Sequence, residues 1–210
     1  MSNDEKSGDL DVLKVALTGG IATGKSYVLA ALQRRGVPCL DADVLAHGVT
    51  AAGTEASQAI AARFGDVLAA DGSVDRAKLG PIVFADPAAR RELEAIVHPA
   101  VYRAIEAGLR AIELVERAPL AIVDIPLLHE TGEAGKFDKV IATVCAVETQ
   151  RTRLRARGLS DTAIEQRLAA QLPAAEKARR AHYVISTDGS FEETDRQIEE
   201  THAAILALSR

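Results

Sequence analysis

Tryptophan is absent from this chain and aromatic residues make up 3% of it, so an interior has to be built from Ala, Leu, Val and Ile. An excess of positive charge is missing too. The formal net charge is -5, which argues against a general nucleic-acid binder, a class that is usually basic. The two cysteines, Cys39 and Cys145, each lie in an apolar, strand-like run. They read as reduced core thiols of a cytosolic protein rather than as a disulfide or a metal pair. His47, His98, His129, His182 and His202 show no spacing of the H-E-x-x-H kind, so a metal site built by the protein alone is not expected. No apolar run is long enough to span a bilayer, and no internal repeat or low-complexity segment occurs. The opening segment MSNDEKSGDL is polar and acidic, unlike the basic-then-apolar order of a secretory signal. The expectation is a loose tail over residues 1–10 and a cytoplasmic protein, with neither membrane nor nucleic acid among its partners.

What the chain does have is an ordinary balance for a globular protein, 48% hydrophobic and 26% charged over 210 residues. That length suits one compact domain, or a core with a small insertion. The most informative stretch is VLKVALTGGIATGKSY at residues 12–27. A branched, apolar run to Leu17 reads as a buried strand. A helix carrying Val28, Leu29 and Leu32 follows. Between them, Gly19-Gly20-Ile21-Ala22-Thr23-Gly24-Lys25-Ser26 matches G-x-x-x-x-G-K-[ST] at each required position. In such a loop the backbone N–H groups curl around phosphate oxygens, and Gly19 and Gly24 allow angles that a Cβ would resist. The following helix turns its unpaired amides toward the same anion. Lys25 can reach the β- and γ-phosphates, and the Ser26 hydroxyl suits Mg²⁺. Gly20, Ile21, Ala22, Thr23, Gly24, Lys25, Ser26 and Tyr27 are thus the candidate ATP-binding residues. The string alone says that a nucleoside triphosphate binds, not what for.

Further along, a second short strand (residues 37–40) ends at Asp41-Ala42-Asp43. Ligands of open α/β sheets lie beyond the carboxyl ends of strands. One aspartate there could accept a proton from an attacking hydroxyl, and the other could order Mg²⁺-bound water or a nearby loop. Alternatively, one of them caps the helix starting near Val44. Asp43 is the preferred catalytic residue. Residues 44–116 lose the strand signal and read as helices over 57–64, 75–84 and 86–116, with Pro99 expected to open a new segment within the last. Val101, Ile105, Leu109 and Ile112 mark its buried face. So long a helical stretch exceeds a crossover and reads as an inserted domain that binds a second substrate. Strands follow at 120–124, 139–147 and 182–186. Asp124 ends the first of these, as the magnesium-water aspartate of many P-loop proteins does. A last helix begins at Ser190, whose pairing with Glu193 fits a capping box and whose inner face is read as Phe191, Ile198 and Ile205. Residues 151–180 hold eight basic side chains against three acidic ones. They suit an Arg-rich lid that closes over triphosphate, although a solvated basic face accounts for any single arginine.

With these segments in order, the chain resembles the dephospho-CoA kinase family. The carriers are ALTGGIATGKS at 16–26, DADVLAH at 41–47, FGDVLAADGSVDRAKL at 64–79, IVHP at 96–99, IPLLHE at 125–130, RLAAQ at 167–171 and VISTDG at 184–189. The resemblance implies an α/β P-loop kinase core with a five-stranded parallel sheet, formed by residues 11–43, 117–150 and 181–210. It also implies a helical CoA-substrate domain at 44–116 and the lid at 151–180. The implied reaction is ATP-dependent phosphorylation of the 3′-hydroxyl of dephospho-CoA, with Mg²⁺. Carried over, Asp43 matches the catalytic aspartate, and Arg153 and Arg157 fall on the lid arginines, one stabilising the moving phosphoryl group and one holding ATP. Asp41, His98, Leu127 and Leu128 fall near the acceptor. The chain departs from the family at Ala22-Thr23 (commonly Gly-Ser), Tyr27 (commonly Thr), His129 (usually apolar), His182 (often Asp) and Thr187 (frequently Asn). A monomer or small homo-oligomer acting on ATP and dephospho-CoA is expected. The nearest rival is a kinase of a nucleoside monophosphate or shikimate. A GTP-dependent switch would carry N-K-x-D, which is absent. A P-loop domain serving only protein contacts would not need Lys25, Ser26, Asp43 and the arginines together.

Overall fold

Branched residues in the strands and alanine-rich helices between them set an α/β architecture, described here for residues 12–209 by a computed structural model. The tail read over residues 1–10 lies outside the described residues. The chain divides into two compact units, one running through Cys39 and resuming at Ala111, the other spanning Leu40–Arg110.

The chain forms a parallel sheet of β1 (Leu13–Gly19), β2 (Cys39–Asp41), β3 (Leu120–Asp124), β4 (Lys139–Val144) and β5 (Tyr183–Ser186), in the order β2-β3-β1-β4-β5. β1 is central, in parallel register with β3 (Leu17 beside Asp124) and with β4 (Gly19 beside Thr143). Burial on both faces explains why these strands read as continuous apolar runs rather than alternating ones. One core joins Val15, Leu17, Ile122, Ile141 and Ile185 of the sheet to Val28 and Leu32 of α1 (Lys25–Arg34) and to Ile198 and Ile205 of α9 (Phe191–Leu206). Each such side chain contributes about 1.5–3 kcal/mol by leaving water. The capping box at Ser190 and Glu193 is present. Phe191, read as an inner-face residue, is 69% exposed. It sits in the first turn, where its ring meets Tyr27 at 5.1 Å between centroids instead of entering the core.

The second unit holds α2 (Ala42–Val49), α3 (Glu55–Phe64), α4 (Arg76–Ala85) and most of α5 (Pro87–Ala111). Asp41, Thr54 and Asp75 accept from the first amides of α2, α3 and α4, and Asp86 Oδ1 accepts from Ala88 N at 2.7 Å at the start of α5. Ile60, Val67 and Leu79 form its core with Phe64, Val74, Val83, Leu93, Ile96 and Val97 packed around them. Pro99 does not open a new segment: α5 passes through it unbroken. Proline removes one backbone donor there, and the buried face of Ala100, Val101, Tyr102 and Ile105 beyond it offsets that loss. Between α9 and β4 in the first unit, the chain forms α6 (Val147–Ala156), α7 (Asp161–Ala169) and α8 (Ala174–Arg179), so the strand read to Val147 ends at Val144. α8 packs on β4 and β1.

Candidate active site

The phosphate-loop motif follows the central strand at its carboxyl end. Its first glycine is required for space, not for angle. The φ of Gly19 is not positive, which corrects the sequence reading, but a Cβ on it would stand 2.1 Å from Thr143 Oγ1 and 2.6 Å from Thr23 Oγ1. Those two hydroxyls bond each other at 2.7 Å, and Thr23 Oγ1 also donates to Gly20 O at 2.8 Å. Gly24 does need its freedom, at φ 82, and so would Ala22, which is held at φ 60 with a side chain. The amides of Gly24, Lys25 and Ser26 meet no protein acceptor among the described residues, so they are the donors available to an anion.

Other parts of the loop are already engaged. Thr23 is fully buried, so its side chain braces the loop from below. The Ile21 N–H donates to Gln171 Oε1 at 3.0 Å, which removes that amide from the phosphate donors. Tyr27 turns its ring to α9, where its hydroxyl donates to Asp195 Oδ1 at 2.8 Å; that hydrogen bond is the main cause of its raised pKa. Lys25 Nζ lies 2.5 and 2.6 Å from the two Asp124 oxygens. With side chains 16% and 8% exposed, the pair is shielded from water, and an incoming phosphate would compete with Asp124 for the ammonium. The Ser26 side chain is exposed.

Arg153 is committed elsewhere than the sequence reading placed it. It donates to Ala22 O at 3.1 Å, to Thr187 Oγ1 at 2.9 Å and to Thr187 O at 2.6 Å, while Thr187 Oγ1 donates to Thr23 O at 2.9 Å. The guanidinium therefore clasps the loop to the end of β5 rather than presenting a free fork. Arg157, at the end of α6, is exposed. Arg151 and Arg155 pair with Glu165 and Asp161 of α7, each at 2.8 Å. Lys177 of α8 is 0% exposed and donates to Pro126 O at 2.5 Å and Glu130 Oε1 at 2.9 Å. Burial pushes the Glu130 carboxyl up, but Lys177 and the Leu172 amide outweigh it and hold the group below its usual range. Leu128, read near the acceptor, is 0% exposed and belongs to the interior, whereas Leu127 is 40% exposed.

In the second unit, Asp41 is the helix cap. Its Oδ1 accepts from Asp43 N at 2.8 Å and Val44 N at 3.0 Å, which starts α2 earlier than Val44. Asp43 in that first turn is exposed, with no protein partner for its carboxylate among the described residues. His98 is half-buried on α5.

A family model described as dephospho-CoA kinase matches residues 13–193. The dephospho-CoA kinase of Geobacter sulfurreducens is 46% identical over 192 residues, covering 90% of this chain and 96% of that protein. That of Thermosynechococcus vestitus is 45% identical over 197 residues, 92% of this chain and 95% of its own length. This chain belongs to the dephospho-CoA kinase family. A crystal structure from Thermus thermophilus is 34% identical, with a TM-score of 0.79 over 92% of this chain and 97% of that one. The dephospho-CoA kinase of Campylobacter jejuni, 24% identical with a TM-score of 0.69 over 94% and 98%, shares the fold.

Three of the departures from the dephospho-CoA kinase pattern now have a local account. Ala22 occupies a left-handed position that glycine takes without steric cost. His129 Nε2 is shut off from solvent with no hydrogen-bond partner among the described residues. Its pKa is lowered by burial first, then by the charges of Arg180 and Lys177. His182 joins β4 and β5, with Nδ1 accepting from Val140 N at 3.1 Å. Sequence reasoning missed Gln150, Gln171 and Thr187 as braces of the loop and Lys177 as the partner of Pro126 and Glu130, because nothing in their spacing says which backbone they reach. Both thiols are pushed up by burial, Cys39 to about 11, so they stay protonated at neutral pH. No group of acidic, His or Cys side chains suited to hold a metal occurs among the described residues.

Proposed function

We propose that this chain transfers the γ-phosphoryl group of ATP to the 3′-hydroxyl of dephospho-CoA, giving coenzyme A and ADP. The observation that carries the reading is family membership over residues 13–193, joined to a phosphate loop whose Gly24, Lys25 and Ser26 amides are unspent. In the reaction the acceptor oxygen bonds to the γ-phosphorus, the bridging P–O bond breaks, and its electron pair leaves on ADP. The hydroxyl proton passes to Asp43, whose exposed carboxylate is at liberty to take it. Lys25 leaves Asp124 for the β- and γ-phosphates, and Arg157 supplies a further positive charge. Arg153 acts by holding the loop. Asp41 seats Asp43 by capping α2, and His98 and Leu127 contact the acceptor.

The Ser26 hydroxyl is exposed and is a hard oxygen donor of the kind Mg²⁺ takes together with phosphate oxygens. Among the described residues no cluster suited to hold the ion alone occurs, and on this reading it would arrive with ATP. Mg²⁺ so bound offsets phosphate charge. No helix among the described residues is long and apolar enough to cross a membrane, in keeping with a cytoplasmic enzyme. We assign it no nucleic-acid partner and a monomeric or small homo-oligomeric state. Incubation with ATP, Mg²⁺ and dephospho-CoA followed by mass spectrometry is expected to yield a product one phosphoryl group heavier that co-elutes with coenzyme A. Phosphorylation of a nucleoside monophosphate or shikimate instead would overturn the assignment.

A further inference from the structure

Two glutamines that the reaction leaves unused converge on a single residue, Ile21, one at each of its two flanking peptide groups. Gln150, buried in α6, donates from Nε2 to Ile21 O at 2.6 Å. Gln171, beyond the end of α7, accepts the Ile21 N–H through Oε1 at 3.0 Å. Ile21 sits between Gly20 and the left-handed Ala22 in the turn that shapes the phosphate loop. A Cβ on Gly20 would come within 3.1 Å of Gln150 Nε2 and 3.3 Å of Ala174 Cβ, so these side chains press directly on the loop backbone. The segment bearing Gln171 is itself pinned, since Leu172 N donates to Glu130 at 2.9 Å and Lys177 bonds the same carboxylate.

We propose that Gln171 is a positioning residue of the phosphate loop. It occupies the Ile21 amide and so withdraws that donor from the anion site. It also makes the loop's shape depend on how the segment between α7 and α8 is seated. Gln150 completes the bracket from the carbonyl side. The inference rests on the reading that this loop binds ATP, but not on the identity of the acceptor.

The test is calorimetric titration of the full chain with Mg²⁺–ATP, alongside steady-state kinetics. Gln171→Met keeps the length of the side chain and removes the acceptor. It is expected to weaken ATP binding about three- to tenfold, the effect of one ordinary hydrogen bond. The KM for ATP should rise in step while the KM for dephospho-CoA stays within about twofold. Thr162→Ala, at an exposed position on α7 outside that segment, should leave ATP affinity within about twofold. Gln150→Met carries the same test should Gln171→Met not fold. The double variant should lose less than the product of the single losses, because both act on the same residue of the loop, Ile21. Wild-type ATP affinity in Gln171→Met, an equal loss in Thr162→Ala, or a parallel rise in both KM values would overturn the proposal. A wild-type chain that binds ATP but leaves dephospho-CoA unphosphorylated removes the proposed acceptor and leaves the bracket to be judged by the binding data.

Discussion

Gly19 shows how one hydrogen atom can decide a site. The Thr23–Thr143 hydroxyl pair fills the volume a methyl would need, and both hydroxyls are buried. Gly19→Ala is expected to destabilise the fold by about 1–3 kcal/mol, the usual cost of overpacking, and to weaken ATP binding with it. Urea denaturation and titration read the two effects, and an unaltered midpoint would mean the loop yields freely. Asp43 is the opposite case, an exposed group whose importance lies in chemistry. Asp43→Asn should keep ATP affinity within a few-fold while turnover falls by roughly 10²–10⁴; equal turnover in the two proteins would take the base out of the scheme. The motif made Lys25 and Ser26 readable from the sequence because their roles follow from spacing. It did not reveal that Lys25 faces Asp124, since a contact across ninety-nine positions leaves no mark on either neighbourhood.

At the scale of elements, α8 is held by its buried lysine. Lys177→Met keeps the bulk and removes the bonds to Pro126 and Glu130, with an expected cost of about 1.5–3 kcal/mol for a hydrogen bond from a charged donor. Acid denaturation carries a second signal. A carboxyl held low in the fold contributes stability that is full above its ordinary range and lost as pH falls through the folded value. Glu130 is such a group, and the lysine variant should flatten the acid limb of the stability curve. For His129 the folded value is lowered. The unfolded chain then takes up a proton that the fold refuses, and stability drops as pH falls below the ordinary histidine value of 6.5. His129→Leu, an apolar replacement without a titratable group, is expected to reduce the difference in denaturation midpoint between pH 7.5 and pH 5.5. An unchanged difference would assign that slope to other groups. The helices themselves were legible: caps at Asp86 and Ser190 and the stripe from Val101 to Ile112 all announce themselves locally. Pro99 misled because a break in one hydrogen bond is a local fact, whereas the packing that carries α5 through it is not.

For the molecule as a whole, the two compact units suggest separable responses to ligand. In hydrogen–deuterium exchange, Mg²⁺–ATP alone should protect amides at residues 20–27, and dephospho-CoA should add protection within residues 40–110. ATP at a hundredfold excess over its Kd should also raise stability by about 2.7 kcal/mol. Protection by ATP confined to the second unit would relocate the nucleotide. By itself the sequence determined the strand–loop–helix that cradles phosphate, the parallel α/β class and the family, because turn chemistry, apolar runs and motif order act over a few residues each. Only the tertiary structure decided which amides remain open, that Arg153 clasps the loop, that Leu128 is interior and that Gln150 and Gln171 both bond Ile21. Those outcomes depend on which distant donors and acceptors the fold brings within about 3 Å, and burial then obliges each of them to find a partner.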